Sequence, residues 1–256
     1  MSSRKRLDSA VAALQRQYGK AALQRGMTTP PIPPQISTGF SALDTLTGCR
    51  GIPLRAITIL SGRMTSGKLT LAYKALAQAQ GKQGKETVAL LDLNGSSDPD
   101  YLARCGVQLD QLFLVRPTTE TAVMQLLIDL VATQQLRLVV VDSLPDLLAY
   151  ARGRRQWTDM IEQLVTVLRQ HSSALIVLDE FAPIWVRWFR PQTHNVLTQQ
   201  AALHITLKRE RWLHRDAQIT GYEAQATILK SRWAQTGRTA LIAITFNGTV
   251  RAQTTW

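Results

Sequence analysis

Hydrophobic and polar positions divide the chain into short apolar runs separated by stretches of helical period. Residues 56 to 61 (A-I-T-I-L-S), 87 to 92 (T-V-A-L-L-D), 112 to 116 (L-F-L-V-R), 137 to 142 (R-L-V-V-V-D) and 174 to 179 (A-L-I-V-L-D) have the length and side chains of buried strands. Apolar residues recur at helical spacing over 70–80, 119–133 and 157–171. Short apolar strands alternating with helices predict a largely parallel sheet covered on both faces. From about residue 204 the pattern changes to consecutive strands, at 204–211, 222–232 and 241–246, with Asn247-Gly248 as a hairpin turn signal. The expected fold class is therefore α/β, a parallel sheet extended by antiparallel strands at its C-terminal end, with helices on both faces.

The first residues do not follow this pattern. Residues 7–25 predict an amphipathic helix that frays near Gly19, with Val11, Leu14 and Tyr18 on one face. The following T-T-P-P-I-P-P, residues 28–34, is a stiff extended linker. Two parts are expected: a basic helical arm and linker over 1–35, and a core over 36–256. A helix on such a linker is placed to dock on another surface, such as another subunit.

Composition supports one sizeable domain with an appendage: the chain has 256 residues, 45% of them hydrophobic. No apolar run reaches the roughly 18 residues of a membrane span. No apolar segment follows M-S-S-R-K-R, so the expectation is a cytoplasmic chain without a secretory leader, with no membrane among its partners. Cys49 and Cys105 have no metal-ligand spacing and read as two free thiols, and the four histidines show no ligand pattern either. The net charge of +12 favours a polyanion such as nucleic acid as partner.

One segment carries specific chemistry. G-R-M-T-S-G-K-L, residues 62–69, has the spacing of a phosphate-binding loop between a strand and a helix. In such loops backbone N–H groups cradle phosphates, the helix N-terminus favours the anion and the lysine reaches the outer phosphates. Gly62, Thr65, Ser66, Gly67, Lys68, Leu69 and Thr70 are the expected nucleotide-binding residues, with ATP or ADP as ligand. The position after the lysine ordinarily carries a hydroxyl that holds Mg²⁺. Leu69 stands there instead, which argues against Mg²⁺ and against hydrolysis.

Taken together, the ordered motifs resemble the RecA family of bacterial recombinases along nearly the whole chain. L-Q-R-Q-Y-G-K-A-A-L (14–23) is similar to the N-terminal arm that docks on a neighbouring subunit, and I-S-T-G-F-S-A-L-D (36–44) to the lead-in to the core. D-P-D-Y-L-A-R-C-G-V (98–107) resembles the segment after the second core strand, and L-R-L-V-V-V-D-S (136–143) the Walker B strand. The resemblance implies that Tyr101 packs on the adenine and that Asp142 orients metal and water; read from pattern alone, Tyr101 is equally a core tyrosine. It also exposes departures. Asn94 stands where the family has the glutamate that activates water, and a neutral amide is no general base. Asp179-Glu180 replaces an asparagine-glutamine sensor pair. With Leu69, three catalytic positions have changed together, so no catalytic residue is assigned and the enzyme reading leans to a degenerate ATPase.

The chain also ends about where the RecA core ends, so the family's C-terminal domain is expected to be missing. A truncated, basic and eroded RecA-like core resembles the ImuA group, accessory proteins of damage-induced translesion synthesis; G-Y-E-A-Q-A-T-I-L-K-S-R-W-A-Q-T-G-R (221–238) adds to that likeness. This resemblance implies an adaptor of the SOS response in the cytoplasm or nucleoid. Its implied partners are single-stranded DNA, a RecA filament and a translesion polymerase subunit, with a homo-oligomer as a further assembly. The other readings are an active RecA-like ATPase that forms filaments and exchanges strands, and a regulator that caps or disperses RecA filaments.

Two basic aromatic segments stand in the places of the family's DNA-binding loops. The first supplies Arg152, Arg154, Arg155 and Trp157; the second supplies Trp185, Arg187, Trp188, Phe189 and Arg190. Arginines contact phosphates and aromatic rings stack on unpaired bases. The same side chains also make protein-binding hot spots, which is the competing reading. Leu14, Tyr18, Lys20, Lys230 and Arg232 are the expected subunit-interface residues, the last two matching a basic pair that reaches a neighbour's phosphate. A charged face of an edge strand is the alternative for that pair.

Overall fold

The computed structural model describes residues 3–19, 31–81, 85–117, 123–133, 135–150, 153–180, 192–215, 218–245 and 251–253. It divides into two units, Met1–Pro31 and Ile32–Trp256. In the first, helix α1 (Ser3–Tyr18) places Leu7, Val11, Leu14 and Tyr18 along one stripe, and Leu7, Leu14 and Tyr18 are exposed. The helix stops at Tyr18, earlier than the expected frayed extension to 25. Gly19 adopts φ 88°, the left-handed conformation that ends helices. Residues 20–25, Lys20 included, lie outside the described residues.

The second unit begins with strands β1 (Gln35–Ile36) and β2 (Ile52–Pro53), paired antiparallel around helix α2 (Ser41–Leu46). The I-S-T-G-F-S-A-L-D segment is held by the carboxylate of Asp44. It accepts from Ser37 Oγ (2.6 Å), Thr38 Oγ1 (2.7 Å) and the Thr38 amide (2.8 Å). These bonds satisfy a charged group at the edge of the core, where an unpaired one is costly.

The nine-stranded sheet contains β3 (Ile57–Gly62), β4 (Thr87–Asp92), β5 (Leu112–Val115), β6 (Leu136–Asp142), β7 (Ala174–Glu180), β8 (Leu203–Arg215), β9 (Gln218–Ser231), β10 (Thr239–Thr245) and β11 (Arg251–Gln253). Its order is β11-β10-β9-β8-β3-β7-β6-β4-β5. The pairs from β8 through β3 to β5 are parallel, and those from β8 through β9 to β11 antiparallel. This is the expected architecture. The Asn247-Gly248 turn lies outside the described residues, but β10 and β11 on either side of it pair antiparallel. The helices are α3 (Lys68–Ala79), α4 (Pro99–Arg104), α5 (Val123–Ala132), α6 (Leu144–Ala149), α7 (Arg154–Gln170) and α8 (Gln192–Gln200).

Alternate strand positions feed two cores, one on each face. Leu60, Leu90, Val140 and Leu178 pack with α3, together with Leu43 of α2 and Leu102 of α4. Ile59, Leu91, Val141 and Val177 pack with α5, α6, α7 and Leu197 of α8. Cys49 and Cys105 are both free and buried. Among the described residues no helix is long and apolar enough to cross a membrane.

The second core corrects one sequence assignment. Trp157 is 1% exposed and lies on the stripe Trp157, Ile161, Leu164, Leu168 of α7. A ring buried there cannot stack on a nucleobase, so Trp157 belongs to the core and not to a DNA-binding loop. Trp157→Ala is expected to cost about 3–5 kcal/mol of stability, the range for truncating a buried aromatic side chain. Urea unfolding measures this, and a loss below about 1 kcal/mol, typical of exposed sites, would contradict the burial.

Candidate functional site

The loop 62–67 leaves the end of β3 and enters α3. Two glycines make its shape possible. A Cβ on Gly62 would sit 2.4 Å from Ser66 Oγ and 2.6 Å from the Leu207 carbonyl oxygen. Gly67 adopts φ 96°, which L side chains rarely tolerate. Thr65, at φ 61°, also takes the left-handed conformation. Ser66 is buried and its Oγ has no hydrogen-bond partner in the protein. An orphaned hydroxyl beside the N-terminus of a twelve-residue helix, within a loop that closes only without a Cβ, fits a phosphate. The loop lines a cleft of about 520 Å³ that also takes in Lys68, Leu69, Thr70, Asn94, Ser96, Tyr101, Asp142, Glu180, Arg209, Trp212 and Tyr222. The nucleotide residues expected from Thr65 to Thr70, with Tyr101 and Asp142, thus gather in one place, and Gly62 begins the loop.

At the outer end of the cleft, Lys68 Nζ lies 3.5 Å from Glu180 Oε1 and 3.5 Å from the Arg63 carbonyl oxygen. Asp142, at the end of β6, is buried, and burial pushes its carboxyl up to about 6. Repulsion from Asp92, Asp146 and Glu180 adds to this, while Lys68 acts in the opposite direction. Asp92, at the end of β4, is held below the usual carboxylate range. Burial is the largest single influence and pushes it up, but hydrogen bonds from Ser97 and Arg116 together outweigh it. Ser97 Oγ lies 2.5 Å and Arg116 Nε 2.9 Å from Asp92 Oδ2. The Ser96 amide donates to both Asp92 Oδ1 (3.1 Å) and Asn94 Oδ1 (3.0 Å), so this cluster fixes the turn that carries Asn94. Leu69 offers no oxygen and packs partly buried against the first core.

The inner end is aromatic. Asp98 caps α4 by accepting from the Asp100 amide (2.9 Å), and Pro99 supplies the first turn. The D-P-D-Y sequence therefore starts a helix that presents Tyr101, half-buried, to the cleft. Its hydroxyl bonds Thr70 Oγ1, and its ring lies 5.8 Å from that of Tyr73. Thr70 is buried and also meets the Tyr222 hydroxyl at 3.5 Å.

Sequence reading missed the wall formed by β8 and β9. Arg209 Nη1 donates to Thr65 Oγ1 (3.0 Å), and its guanidinium lies 4.2 Å from the Trp212 ring centroid. Trp212 in turn meets Tyr222 edge-on at 5.9 Å. The K-R-E-R-W run at 208–212 was the available signal, an aromatic residue among cations in a strand.

The remaining expected residues lie elsewhere. Arg154 and Arg155 are exposed in the first turn of α7. Arg152, Trp185, Arg187, Trp188, Phe189 and Arg190 lie outside the described residues. Lys230 donates to the carbonyls of Thr198 (3.1 Å) and Gln199 (2.6 Å), at the C-terminal end of α8, where a cation is favoured.

The elevated carboxyl of Asp142 has a consequence for stability. Its native form binds a proton more tightly than the unfolded chain does, so stability falls as pH rises from the ordinary value of 3.8 toward about 6, and the penalty persists above that. Asp142→Asn, without nucleotide or divalent ions, is expected to gain about 1–3 kcal/mol at about pH 7.5 and close to nothing at about pH 4. Urea unfolding at both pH values tests this; an equal effect at both would contradict it.

Comparison with known proteins supports the same fold. The RecA N-terminal domain matches residues 5–251. The chain is 29% identical over 248 residues to Protein RecA of Streptomyces venezuelae, an alignment covering 90% of this chain and 65% of that protein. It is 27% identical over 261 residues to Protein RecA of Frankia casuarinae, covering 95% and 75%. For Protein RecA of Pseudomonas fluorescens the identity is 27% over 262 residues, covering 96% and 74%. With the match spanning nearly all of the sequence, the chain belongs to the RecA N-terminal domain family.

Proposed function

We propose that this chain is a RecA-like accessory protein of DNA repair, an adaptor that keeps a nucleotide cradle but hydrolyses nucleotide poorly. The observation that carries this reading is the outer end of the cleft. A carboxylate, Glu180, sits on the loop lysine, and Leu69 and Asn94 line the same space. Magnesium finds no oxygen at residue 69, and a water beside Asn94 finds no base there. ATP or ADP is then a structural ligand. The ImuA-like resemblance extends this to translesion synthesis, with single-stranded DNA, a RecA filament and a polymerase subunit as partners.

Further support comes from the arm and from α7. The exposed Leu7, Leu14 and Tyr18 form an apolar stripe suited to a neighbouring subunit or a RecA filament end. Arg154 and Arg155 are exposed in the first turn of α7, so two guanidinium groups and a helix N-terminus share one surface. A DNA phosphate at that position would meet both the arginines and the first-turn amides. The tryptophans and arginines over 185–190 would add stacking and phosphate contacts.

Binding of the purified chain to single-stranded DNA and to assembled RecA filaments tests the adaptor reading by anisotropy and cosedimentation. Binding to at least one is expected, and failure with both would overturn the reading. Charge reversal of Arg154 and Arg155 together is expected to weaken DNA binding about tenfold or more at low salt. The wild-type affinity should also fall steeply as salt rises. A flat salt response would assign the +12 net charge another role.

A further inference from the structure

We propose that Glu180 makes the cleft selective for nucleoside diphosphates over triphosphates, by holding a carboxylate where the outermost phosphate would meet Lys68. The inference rests on the reading of the cleft as a nucleotide site and adds its specificity. Sheet geometry sets the position of Glu180. Strands β3 and β7 run parallel with Gly62 opposite Glu180, so the last residue of β7 lies beside the first residue of the phosphate loop. From there the carboxylate reaches Lys68 Nζ at 3.5 Å. The lysine side chain is only 11% exposed, so the contact lies in a region largely shielded from water on the lysine's side.

The charges around the cleft point the same way. Among the described residues, Lys68 and Arg209 are its cations and Asp142 and Glu180 its anions, so the formal charges of these lining side chains cancel. Two phosphates are provided for by the loop amides, the orphaned Ser66 hydroxyl and Lys68. A third phosphate must displace Glu180 from Lys68 and then lie against both Glu180 and Asp142. Like charges brought together away from bulk water repel, and nothing at Leu69 helps a divalent cation to neutralise them. Glu180 is half-exposed, at 51% for its side chain, and can swing toward water, so the effect is a bias and not an absolute block.

Calorimetric titration of the full chain with ADP and with ATP, in the presence of magnesium, tests this for the wild type and for Glu180→Gln. The wild type is expected to bind ADP at least about tenfold more tightly than ATP. The isosteric variant removes the charge without changing the strand end. It should tighten ATP binding more than ADP binding, until the two nucleotides agree within about threefold. Equal or tighter ATP binding by the wild type would overturn the selectivity while leaving the nucleotide site intact. So would a ratio unchanged in Glu180→Gln, given a wild-type-like melting temperature for the variant. Absence of heat with either nucleotide, in both proteins, would overturn the nucleotide reading itself. The wild-type ratio stands as a test even where the variant does not fold.

Discussion

The parallel register of β3 and β7 is the constraint on which the site depends. It sets Gly62 opposite Glu180, so whatever residue ends β7 becomes a neighbour of the phosphate loop. Buried apolar side chains on both faces of these central strands hold the register, because a slip by one residue would turn every side chain to the wrong core. The chemistry of residue 180 therefore acts at the loop without any contribution from loop flexibility. A carboxylate there converts an anion cradle into a partly self-neutralised one.

The other features of the cleft agree with that conversion. Gly62 and Gly67 give the loop its shape, and Ser66 beside them holds a buried hydroxyl with no hydrogen-bond partner in the protein. Leu69 packs against the core, Asn94 is held in a turn organised by Asp92, Ser97 and Arg116, and Asp142 sits buried among like charges. Arg209 and Trp212 close the cleft from the antiparallel end of the sheet, which joins the loop to β8 and β9.

Much of this was legible in the sequence, for reasons that differ by element. Short apolar runs gave the central strands because a strand buried on both faces has few alternatives. The loop spacing gave the cradle, and single residues gave its departures. The six-residue helices α2, α4 and α6 are too short to show a period, and none was expected. Trp157 was misread through its arginine neighbours, although the spacing Trp157, Ile161, Leu164, Leu168 already placed it on a core stripe. The contacts of Lys68 with Glu180, and of Thr65 with Arg209, join positions 112 and 144 residues apart. They depend on strand order, which no local pattern contains.

On the proposed reading, the phosphate loop binds nucleotide and the chain does not turn it over. The most direct measurement is release of inorganic phosphate from ATP by the purified chain, with and without single-stranded DNA, beside Lys68→Ala. A rate indistinguishable between the two proteins and unaffected by DNA is expected. A DNA-stimulated rate that disappears in Lys68→Ala would contradict it and identify an active ATPase that works without a hydroxyl at residue 69.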